Sequence, residues 1–352
     1  MNPNPESSPR ILLMGCGAVG GVMAAGLLES GHDVTLITHN TIISKAIATH
    51  GLRAVTPDGT HTLSPEICAA LTHPDLTGVA GSFNIVLLAM KATGVEAAAR
   101  RVLPMLAPDG IVVTLQNGIV EHHVASIIGR ERVIGALVGW GATMHSPGIY
   151  ERTSRGEITI GELNGSTTKR IQRLKTVLDA AAPTAVSTNI YGALWSKLAI
   201  NCVVTTLGAT TGQLLGEMLR QAKIRRLALS VISEVMDVAT ALGVTLEPVG
   251  GTLDLQQLYL PSSRRDGGFR PSAIPKHAII GLVGLKFRKL KSSMLQSLER
   301  GREPEIDFLN GYVVERGREK GVSTPVNAAL TTMVQQIARG ERRIHPRNLE
   351  EL

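Results

Sequence analysis

The stretch ILLMGCGAVG at residues 11–20 decides the fold, because an apolar strand runs there into a G-x-G-x-x-G turn. In this pattern Gly15 permits the tight turn, Gly17 lets the backbone approach a pyrophosphate, and Gly20 lets the next helix pack on the strand. The phosphates would meet the N–H groups at the positive end of that helix. The stretch predicts a dinucleotide site formed by Gly15, Cys16, Gly17, Ala18, Val19 and Gly20.

The context of this stretch separates a nucleotide-binding strand from a membrane segment. Residues 11–28 are apolar or glycine and follow Arg10, so a signal peptide or a membrane anchor is the alternative interpretation. A spanning helix needs about 20 apolar residues, and a signal peptide needs a small-residue cleavage site. Here the glycines stand at the front, and a second strand at 33–37 follows closely. This order favours nucleotide binding, and no other stretch is judged long and apolar enough to span a membrane.

The composition is that of a globular protein with room for two domains. The chain has 352 residues, of which 43% are hydrophobic, 18% charged and 3% aromatic, so its cores must be aliphatic. Cys16, Cys68 and Cys202 are scattered without the spacing of a metal site. They predict buried reduced thiols, no metal and a cytoplasmic location.

The formal net charge of +7 raises nucleic-acid binding as an alternative function. The basic residues are spread along the chain, however, and few aromatic residues are available to stack on bases. An anionic cofactor and an anionic substrate are sufficient to favour a positive surface. We therefore expect a small-molecule substrate and no nucleic-acid partner.

Strand and helix patterns alternate in the first half of the chain. After a Pro- and Ser-rich lead at residues 1–9, expected to be disordered, apolar runs predict strands at 11–15, 33–37, 84–89, 111–115, 133–138 and 157–162. A helix is expected at 94–106. This alternation predicts an α/β domain of Rossmann type, with a doubly wound parallel sheet, at residues 10–188.

From about residue 189 the periodicity becomes helical. The predicted helices are 190–207, 213–242, 286–300, 305–320 and 325–339, with an irregular stretch at 261–275. The sequence therefore predicts a second, all-helical domain at residues 189–352.

Polar residues at the ends of the predicted strands indicate further cofactor contacts. Lys91 follows the third strand and Asn117 the fourth, and nucleotide folds bind ligands at the carboxyl ends of their strands. After the second strand, an acidic residue would bind the ribose of NAD, whereas a basic residue suits the 2′-phosphate of NADP. The chain has His39 there, with Lys45 further on. NADP(H) is the favoured cofactor and NAD the alternative.

A polar stripe interrupts the otherwise apolar helix at 190–207. Lys197, Asn201 and Thr205 follow one another at intervals of four residues and so share one face. The stripe needs partners, because an unpaired buried charge is costly. Lys197 is interpreted as a lysine in a cleft that donates a proton and binds a carboxylate. The alternative is a lysine whose ammonium reaches solvent.

Another polar cluster spans residues 291–311 and includes Ser293. Pro304 suits the first position of the predicted helix 305–320. That start would place Glu305 in the first turn, where the helix dipole favours an ionised carboxylate.

Taken in order, these motifs resemble those of the ketopantoate reductase family (2-dehydropantoate 2-reductases), from about Ile11 to the C-terminus. The resemblance rests on the glycine fingerprint, on Lys91-Ala92, on Gln116-Asn117-Gly118, and on two more specific motifs. These two are LWSKLAINC at residues 194–202, and SMLQ at 293–296 followed by EIDFLNG at 305–311.

The resemblance implies a reaction and a role for each candidate residue. The reaction is the NADPH-dependent reduction of 2-dehydropantoate to pantoate, in pantothenate and coenzyme A biosynthesis. Lys197 would protonate the carbonyl oxygen as hydride reaches the carbon, with Glu305 near the reacting centre. The implied substrate contacts are Lys197, Asn201, Thr205 and Ser293. The implied cofactor contacts outside the glycine turn are His39, Lys91, Asn117 and Glu305.

Three features depart from the pattern of the family. His39 stands where the family often has an arginine for the 2′-phosphate, and Thr205 stands where the ketopantoate enzymes carry a second asparagine. The stretch at 262–276 is also longer than in compact members. Two alternative functions therefore stay open: a reductase of a different 2-oxo acid, and a non-catalytic NADP-binding regulator. The oligomeric state is also open, and a homodimer is one possibility.

Overall fold

The stretch at residues 11–20 forms strand β1 (Ile11–Met14) and the start of helix α1 (Ala18–Glu29). The computed structural model describes residues 8–73, 81–248, 254–261 and 273–352. It divides into two compact units, the first formed by residues 1–116 and 120–190 and the second by residues 117–119 and 191–352. The domain limits drawn from the sequence, 10–188 and 189–352, stay a prediction.

The first unit is built on an eight-stranded sheet. Its strands are β1, β2 (Val34–Ile37), β5 (Thr72–His73), β6 (Phe83–Leu88), β7 (Leu106–Thr114), β8 (Val133–Val138), β11 (Ile158–Glu162) and β12 (Thr184–Val186). Their order is β12-β11-β8-β7-β6-β1-β2-β5. Neighbours run parallel, except that β11 is antiparallel to β8. All four side chains of β1 are buried, as expected for a strand covered on both faces.

Helices connect these strands. They are α1, α2 (Thr41–His50), α3 (Pro65–Leu71), α4 (Val95–Val102), α5 (Glu121–Ile128) and α6 (Lys169–Leu178), with short 3₁₀ turns at Ala92–Gly94, Leu103–Met105 and Arg130–Arg132. The predicted α/β class with a helical C-terminal region is confirmed. Each predicted strand is present within one residue, except that β7 begins at Leu106 instead of residue 111.

The predicted helix at 94–106 is too long. Helix α4 ends at Val102, and a 3₁₀ turn with Pro104 follows before the chain enters β7. Pro104 lacks the N–H that a continuing helix would need, which explains the early end. Of the lead at residues 1–9, residues 1–7 lie outside the described part of the chain.

A second, four-stranded sheet was not expected from the sequence. It has the order β4-β3-β10-β9, and its strands are β3 (Leu52–Thr56), β4 (Gly59–Leu63), β9 (Ala142–Ser146) and β10 (Ile149–Arg152). Strand β10 places Tyr150 against α1, where its hydroxyl donates to the backbone oxygen of Cys16 at 2.9 Å. Tyr150 is fully buried, and its ring lies where a Cβ of Gly21 would be. The sheet is thereby joined to the glycine turn.

The second unit is helical. Its helices are α7 (Ile190–Thr211), α8 (Leu215–Leu219), α9 (Ala222–Ala241), α10 (Ile274–Lys286), α11 (Ser293–Glu299), α12 (Asn310–Lys320) and α13 (Pro325–Ala338), and 3₁₀ turns lie at Leu255–Leu258, Ile306–Phe308 and Pro346–Glu351. Helix α7 contributes its first residue, Ile190, to the first unit.

Four of the predicted helices in this unit have wrong boundaries. The segment 190–207 is four residues too short, because α7 continues to Thr211. The segment 213–242 is broken at residues 220 and 221 into α8 and α9. The segment 286–300 is helical only from Ser293, because the Ser292 hydroxyl accepts the N–H of Leu295 and starts α11 there. The segment 305–320 begins with a 3₁₀ turn, and its α-helix starts at Asn310. Of the irregular stretch 261–275, residues 262–272 lie outside the described residues. Residues 274 and 275 of that stretch begin α10, a helix that the sequence analysis did not predict.

Helix α7 corrects the expectation that no stretch after residue 28 could span a membrane. Among the described residues, α7 is long and apolar enough to do so by length and composition. Most of its residues are buried inside the protein, which is typical of a core helix. Its apolar character therefore reflects the core of the second unit.

We predict that Gly21→Ala destabilises the first unit. An alanine Cβ would overlap the ring of Tyr150, which is fully buried and closely surrounded. Overpacking of this kind costs about 1–3 kcal/mol, so the midpoint of urea unfolding should fall. Gly94→Ala is the matched control, because the nearest atom to its Cβ would be Met90 Cγ at 3.6 Å. A Gly21→Ala protein as stable as the wild type would contradict this packing.

Candidate active site

The three glycines of the opening turn are required for different reasons. Gly15 has a φ of 107°, and a Cβ there would lie 2.7 Å from the backbone nitrogen of Met90. A Cβ on Gly20 would overlap the backbone oxygen of Gly15. A Cβ on Gly17 would meet none of the described atoms within 4 Å. Packing therefore accounts for Gly15 and Gly20, whereas Gly17 leaves space open beside the backbone.

This open space adjoins the N-terminus of α1. Gly17 is the N-cap residue, no side chain caps the helix there, and its first turn contains no acidic residue. The N–H groups of Ala18, Val19 and Gly20 are among those that an α-helix leaves without an intrahelical partner. Cys16 offers only its backbone to a ligand, because its side chain is buried. The same burial raises the pKa of the Cys16 thiol to about 12. The turn has the form of an anion site.

The end of β2 carries no acidic residue. Thr38 is buried, His39 is exposed, and the Asn40 side chain caps α2 by accepting the N–H groups of Ile42 and Ile43 at 3.0 and 3.2 Å. Lys45 lies further along α2 and is exposed. The structure thus places His39 at the carboxyl end of β2, with its side chain at the surface.

The ends of β6 and β7 also carry polar residues. Lys91 is half-buried and precedes the 3₁₀ turn at Ala92–Gly94. Gln116 follows β7, and its Nε2 donates to the backbone oxygen of Leu88 at 2.9 Å. The other amide atom, Oε1, is buried and accepts no hydrogen bond from the described residues. The sequence analysis did not select Gln116, although its position after a central strand was the available signal.

Lys197 lies on α7 in the second unit among buried neighbours. It is half-buried itself, while Trp195, Ser196 and Leu198 are buried. Burial lowers the pKa of its ammonium to about 8, and the negative charge of Glu305 opposes part of that shift. The structure therefore brings together two residues that are 108 positions apart in the sequence. A lysine with this pKa exchanges a proton near neutral pH.

Asn201 lies one turn after Lys197 and contacts Asn117. Its Nδ2 donates to Asn117 Oδ1 at 3.4 Å. Residues 117–119 belong to the helical unit although they follow β7. Gly118 has a φ of 89°, and a Cβ there would lie 2.5 Å from the backbone oxygen of Phe308. Only glycine fits, so the segment can lie against the turn that follows Glu305.

Thr205 and the start of α11 are joined by hydrogen bonds. The Thr205 hydroxyl donates to the backbone oxygen of Asn201 at 2.7 Å, so its proton is used within α7. The backbone oxygen of Thr205 accepts the Ser292 hydroxyl at 2.6 Å. Ser292 also caps α11 by accepting the N–H of Leu295, and the exposed Ser293 is the first residue of that helix. The sequence analysis missed Ser292, although a serine before an apolar helix is an N-cap signal.

Glu305 is positioned differently from the sequence expectation. It precedes the 3₁₀ turn Ile306–Phe308, and its backbone oxygen accepts the Phe308 N–H at 3.1 Å. It therefore does not occupy the first turn of an α-helix. The Glu305 carboxylate interacts electrostatically with the Lys197 ammonium. This interaction takes the place of the expected interaction with a helix dipole.

The opposite face of α7 is held by a buried polar network. Asn310 accepts the Thr206 hydroxyl at 2.5 Å and donates to Cys202 O at 3.2 Å and to Asn327 Oδ1 at 2.9 Å. Glu234 accepts the backbone N–H and the side-chain amide of Asn327 at 3.0 and 2.7 Å. This network ties α7 to α9, α12 and α13. Among the described residues, no group of three or more His, Cys, Asp or Glu side chains is placed to hold a metal ion.

Comparison with known families finds two adjoining matches. The family described as "Ketopantoate reductase PanE/ApbA" matches residues 11–165, and its C-terminal counterpart matches residues 189–338. The 2-dehydropantoate 2-reductase of Mesorhizobium japonicum is 28% identical to this chain, over 94% of the chain and 98% of the relative.

Solved structures share the fold. The crystal structure of a PanE/ApbA family ketopantoate reductase from Ralstonia eutropha is 28% identical, with a TM-score of 0.76 over 95% of this chain and 100% of that chain. A D-mandelate dehydrogenase with NADH and anilino(oxo)acetate also has a TM-score of 0.76, over 94% and 99% of the two chains. At 21% identity, that second likeness concerns the fold alone.

We predict that Lys197 titrates near pH 8 and that Glu305→Gln lowers its pKa. Loss of the carboxylate charge removes the interaction that favours the ammonium, while burial still disfavours it. Because only the neutral amine reacts, the rate of modification by an amine reagent should rise through pH 8 in the wild type. In Glu305→Gln it should rise at lower pH. Mass spectrometry identifies the modified peptide, Lys197→Arg provides the blank, and identical profiles for the two proteins would refute the pairing.

Proposed function

The chain belongs to the ketopantoate reductase family, and from this premise we propose that it is an NADPH-dependent reductase of 2-dehydropantoate. The product would be pantoate, formed in the cytoplasm for pantothenate and coenzyme A biosynthesis. The observation that carries the proposal is the half-buried Lys197, which has a pKa of about 8, a carboxylate partner and Asn201 one turn away. A 2-oxo acid presents a carbonyl oxygen and a carboxylate that suit these groups.

Lys197 acts as the proton donor in this proposal. When bound, the reduced nicotinamide supplies the hydride that reaches C2 of the substrate. The carbonyl oxygen gains negative charge as this happens, and the Lys197 ammonium stabilises that charge and transfers its proton to the oxygen. The atoms balance as one hydride and one proton added to the 2-oxo acid, giving the 2-hydroxy acid. Glu305 keeps Lys197 protonated at neutral pH by opposing the effect of burial.

The first unit supports a dinucleotide as the cofactor. The open space at Gly17 and the uncapped start of α1 suit a pyrophosphate. Lys91, at the end of β6, supplies a positive charge for the ribose or phosphates. The absence of an acidic residue at Thr38-His39-Asn40 favours NADPH over NADH. His39 is the proposed neighbour of the 2′-phosphate, and the exposure of its ring leaves it available for that contact.

Asn201, Ser293 and Thr205 are the proposed substrate contacts. Asn201 offers an amide, and Ser293 offers a hydroxyl at the start of α11. Thr205 differs, because its hydroxyl proton is already donated to Asn201 O at 2.7 Å. Thr205 can therefore only accept a hydrogen bond from the substrate, and the hydroxyl of 2-dehydropantoate is a suitable donor.

The donated proton of Thr205 also favours one alternative substrate class. A 2-oxo acid without a hydrogen-bond donor at that position would leave the Thr205 oxygen without a hydrogen bond. A bulkier chain that carries a hydroxyl would supply the donor, and threonine leaves it more room than asparagine would. The second candidate is therefore a different 2-oxo acid that carries a hydroxyl. A non-catalytic NADP-binding regulator would not need Lys197 paired with Glu305.

We predict that the protein binds NADPH more tightly than NADH and that Gly17→Val abolishes both affinities. The Cβ of a valine at this position would meet none of the described atoms within 4 Å, so the side chain enters the open space beside the turn. The variant should therefore unfold at the same urea concentration as the wild type. Fluorescence titration with each coenzyme gives the affinities. Unchanged NADPH binding by a folded Gly17→Val protein would remove the proposed cofactor site.

We predict that 2-dehydropantoate drives NADPH oxidation and that Lys197→Ala lowers kcat by at least about 100-fold. The variant should retain its NADPH affinity, because the glycine turn is unaltered. Lys175→Ala is the matched control, since Lys175 is a surface lysine paired with Asp179 on α6. Near-normal turnover by Lys197→Ala would contradict the proton-donor role. Absence of turnover in the wild type, with NADPH bound, would direct the search to other hydroxylated 2-oxo acids.

A further inference from the structure

A cavity of about 720 Å³ lies within the second unit, along one face of α9. Its other walls are Tyr259, the connection between α12 and α13, the start of α13, and Leu352. All of its lining residues differ from the candidate residues of the reductase site. Cavities that hold small organic ligands have volumes of about 300–1,000 Å³. This cavity, which we call the α9 cavity, therefore has the size of a ligand site.

Ser230 lines the α9 cavity with a hydroxyl that needs a partner. The residue is only 7% exposed, and it makes no hydrogen bond with the described residues. Ser233 and Thr331, by contrast, donate to the backbone oxygen four residues earlier, at 2.7 and 2.8 Å. A buried polar group without a hydrogen bond is destabilising. The partner of the Ser230 hydroxyl therefore has to come from inside the cavity.

Two cations lie beside this hydroxyl at one end of the cavity. Arg226 lies one turn before Ser230 on α9, and Lys223 lies about one turn before Arg226. The Lys223 ammonium donates to the backbone oxygen of Glu350 at 3.0 Å. Neither cation forms an ion pair with a carboxylate of the described residues. Negatively charged oxygens are the groups that these cations and the Ser230 hydroxyl bind most strongly.

The start of α9 also favours an anion. This helix has 20 residues, Gln221 at its N-cap makes no side-chain cap, and its first turn contains no acidic residue. Three cations, Lys223, Arg225 and Arg226, lie in its first five positions instead. Positive side chains are electrostatically unfavourable near a helix N-terminus. Arg225 is compensated because it donates to backbone oxygens at the end of α8. A bound anion would compensate the other two.

The middle of the cavity is apolar and has a fixed wall. Leu227 of α9, Val322 of the connection between α12 and α13, and Val326 of α13 line it. Glu234 accepts the backbone N–H groups of Val326 and Asn327, each at 3.0 Å, so the start of α13 is tied to α9. Ligand sites are usually formed before the ligand binds, with mostly apolar walls and a few polar groups. The α9 cavity has this composition.

The far end of the cavity is acidic, which sets the orientation of a ligand. Asp237 lies three turns after Arg226, about 17 Å along the helix axis, and accepts the Tyr259 hydroxyl at 2.8 Å. Glu234 lies three residues before Asp237 and lines the same end. Because like charges repel, the acidic group of a ligand would lie at the Arg226 end. Its apolar part would then extend toward Asp237.

We propose that the α9 cavity is a second binding site, which takes a small amphipathic organic anion: an acidic group joined to an aliphatic chain. The acidic oxygens bind Lys223, Arg226 and the Ser230 hydroxyl. The chain lies on Leu227 and Val326. The proposal does not depend on the reductase activity, because no residue assigned to that activity lines this cavity.

A cysteine at position 230 tests the charge of the cavity. The native cysteines Cys16, Cys68 and Cys202 are buried, so the full chain without the Ser230→Cys change provides the blank. Two methanethiosulfonate reagents of similar size are compared, one with a sulfonate and one with a trimethylammonium group. Each rate is divided by the rate of the same reagent with 2-mercaptoethanol. For Ser230→Cys the sulfonate reagent should then be at least about tenfold faster, because the cations concentrate anions in the cavity.

Variants of the Ser230→Cys chain show which cations cause this preference. Lys223→Gln combined with Arg226→Gln should remove the preference for the sulfonate reagent. Arg288→Gln combined with Lys289→Gln is the matched control, since these exposed cations belong to the same unit but do not line the cavity. The control pair makes the same change in net charge and should leave the preference intact. Equal midpoints of urea unfolding show that each variant is folded.

Protection by octanoate tests the class of ligand. Saturating octanoate should prevent the reaction of Ser230→Cys with methyl methanethiosulfonate, a reagent without charge. Octan-1-ol and inorganic phosphate at the same concentration should not, because one lacks the acidic group and the other lacks the chain. The protection should be lost when Lys223→Gln and Arg226→Gln are added. Octanoate bound elsewhere in the protein would leave the reaction at position 230 unchanged.

Four results would overturn the proposal. The first is a folded Ser230→Cys protein that reacts with neither charged reagent, and the second is an equal normalised rate for both. The third is a preference that survives Lys223→Gln combined with Arg226→Gln. The fourth is protection by octan-1-ol or by phosphate that equals protection by octanoate. That result would assign the cavity to apolar molecules or to inorganic anions alone.

Discussion

The half-buried ammonium of Lys197 is the constraint on which the second unit depends. Burial alone would favour the neutral amine, so the charge has to be supported by an opposite charge nearby. Glu305 supplies it from the turn that precedes α12. Gly118 allows residues 117–119 to lie against that turn, and Asn117 meets Asn201 there. Behind α7, the network through Asn310 fixes the helix that carries Lys197 and Asn201.

Features that depend on neighbouring residues were predictable from the sequence. The glycine turn predicted β1 and the start of α1 correctly, because local packing requires glycine at Gly15 and Gly20. The buried strands were found because they are continuous apolar runs. The small second sheet was missed, since β3 and β4 are only five residues long and β4 has a single buried residue, Leu63. The helix ends at residues 102, 293 and 310 were missed because a proline, a serine cap and a 3₁₀ turn set them.

Motifs in the sequence identified the candidate residues of the site. They did not predict which of these residues contact each other in the structure. Asn117 and Asn201 are separated by 84 positions, and Lys197 and Glu305 by 108. No periodicity relates residues so far apart. Ser292 and the Asn310 network were missed for the same reason, since their roles depend on which helix faces them. The shared fold of a ketopantoate reductase and a D-mandelate dehydrogenase illustrates that the substrate is set by such local groups and not by the fold.

The pH dependence of kcat/KM for NADPH-driven reduction of 2-dehydropantoate tests the proton-donor role of Lys197 most directly. This ratio reports the ionisation of the free enzyme, where the Lys197 pKa is about 8. Reduction requires the protonated lysine. The value of kcat/KM should therefore be constant below about pH 8 and should fall tenfold per pH unit above it. In Glu305→Gln the fall should begin at lower pH. A wild-type rate that stays constant well above pH 8, or rises there, would contradict the role assigned to Lys197.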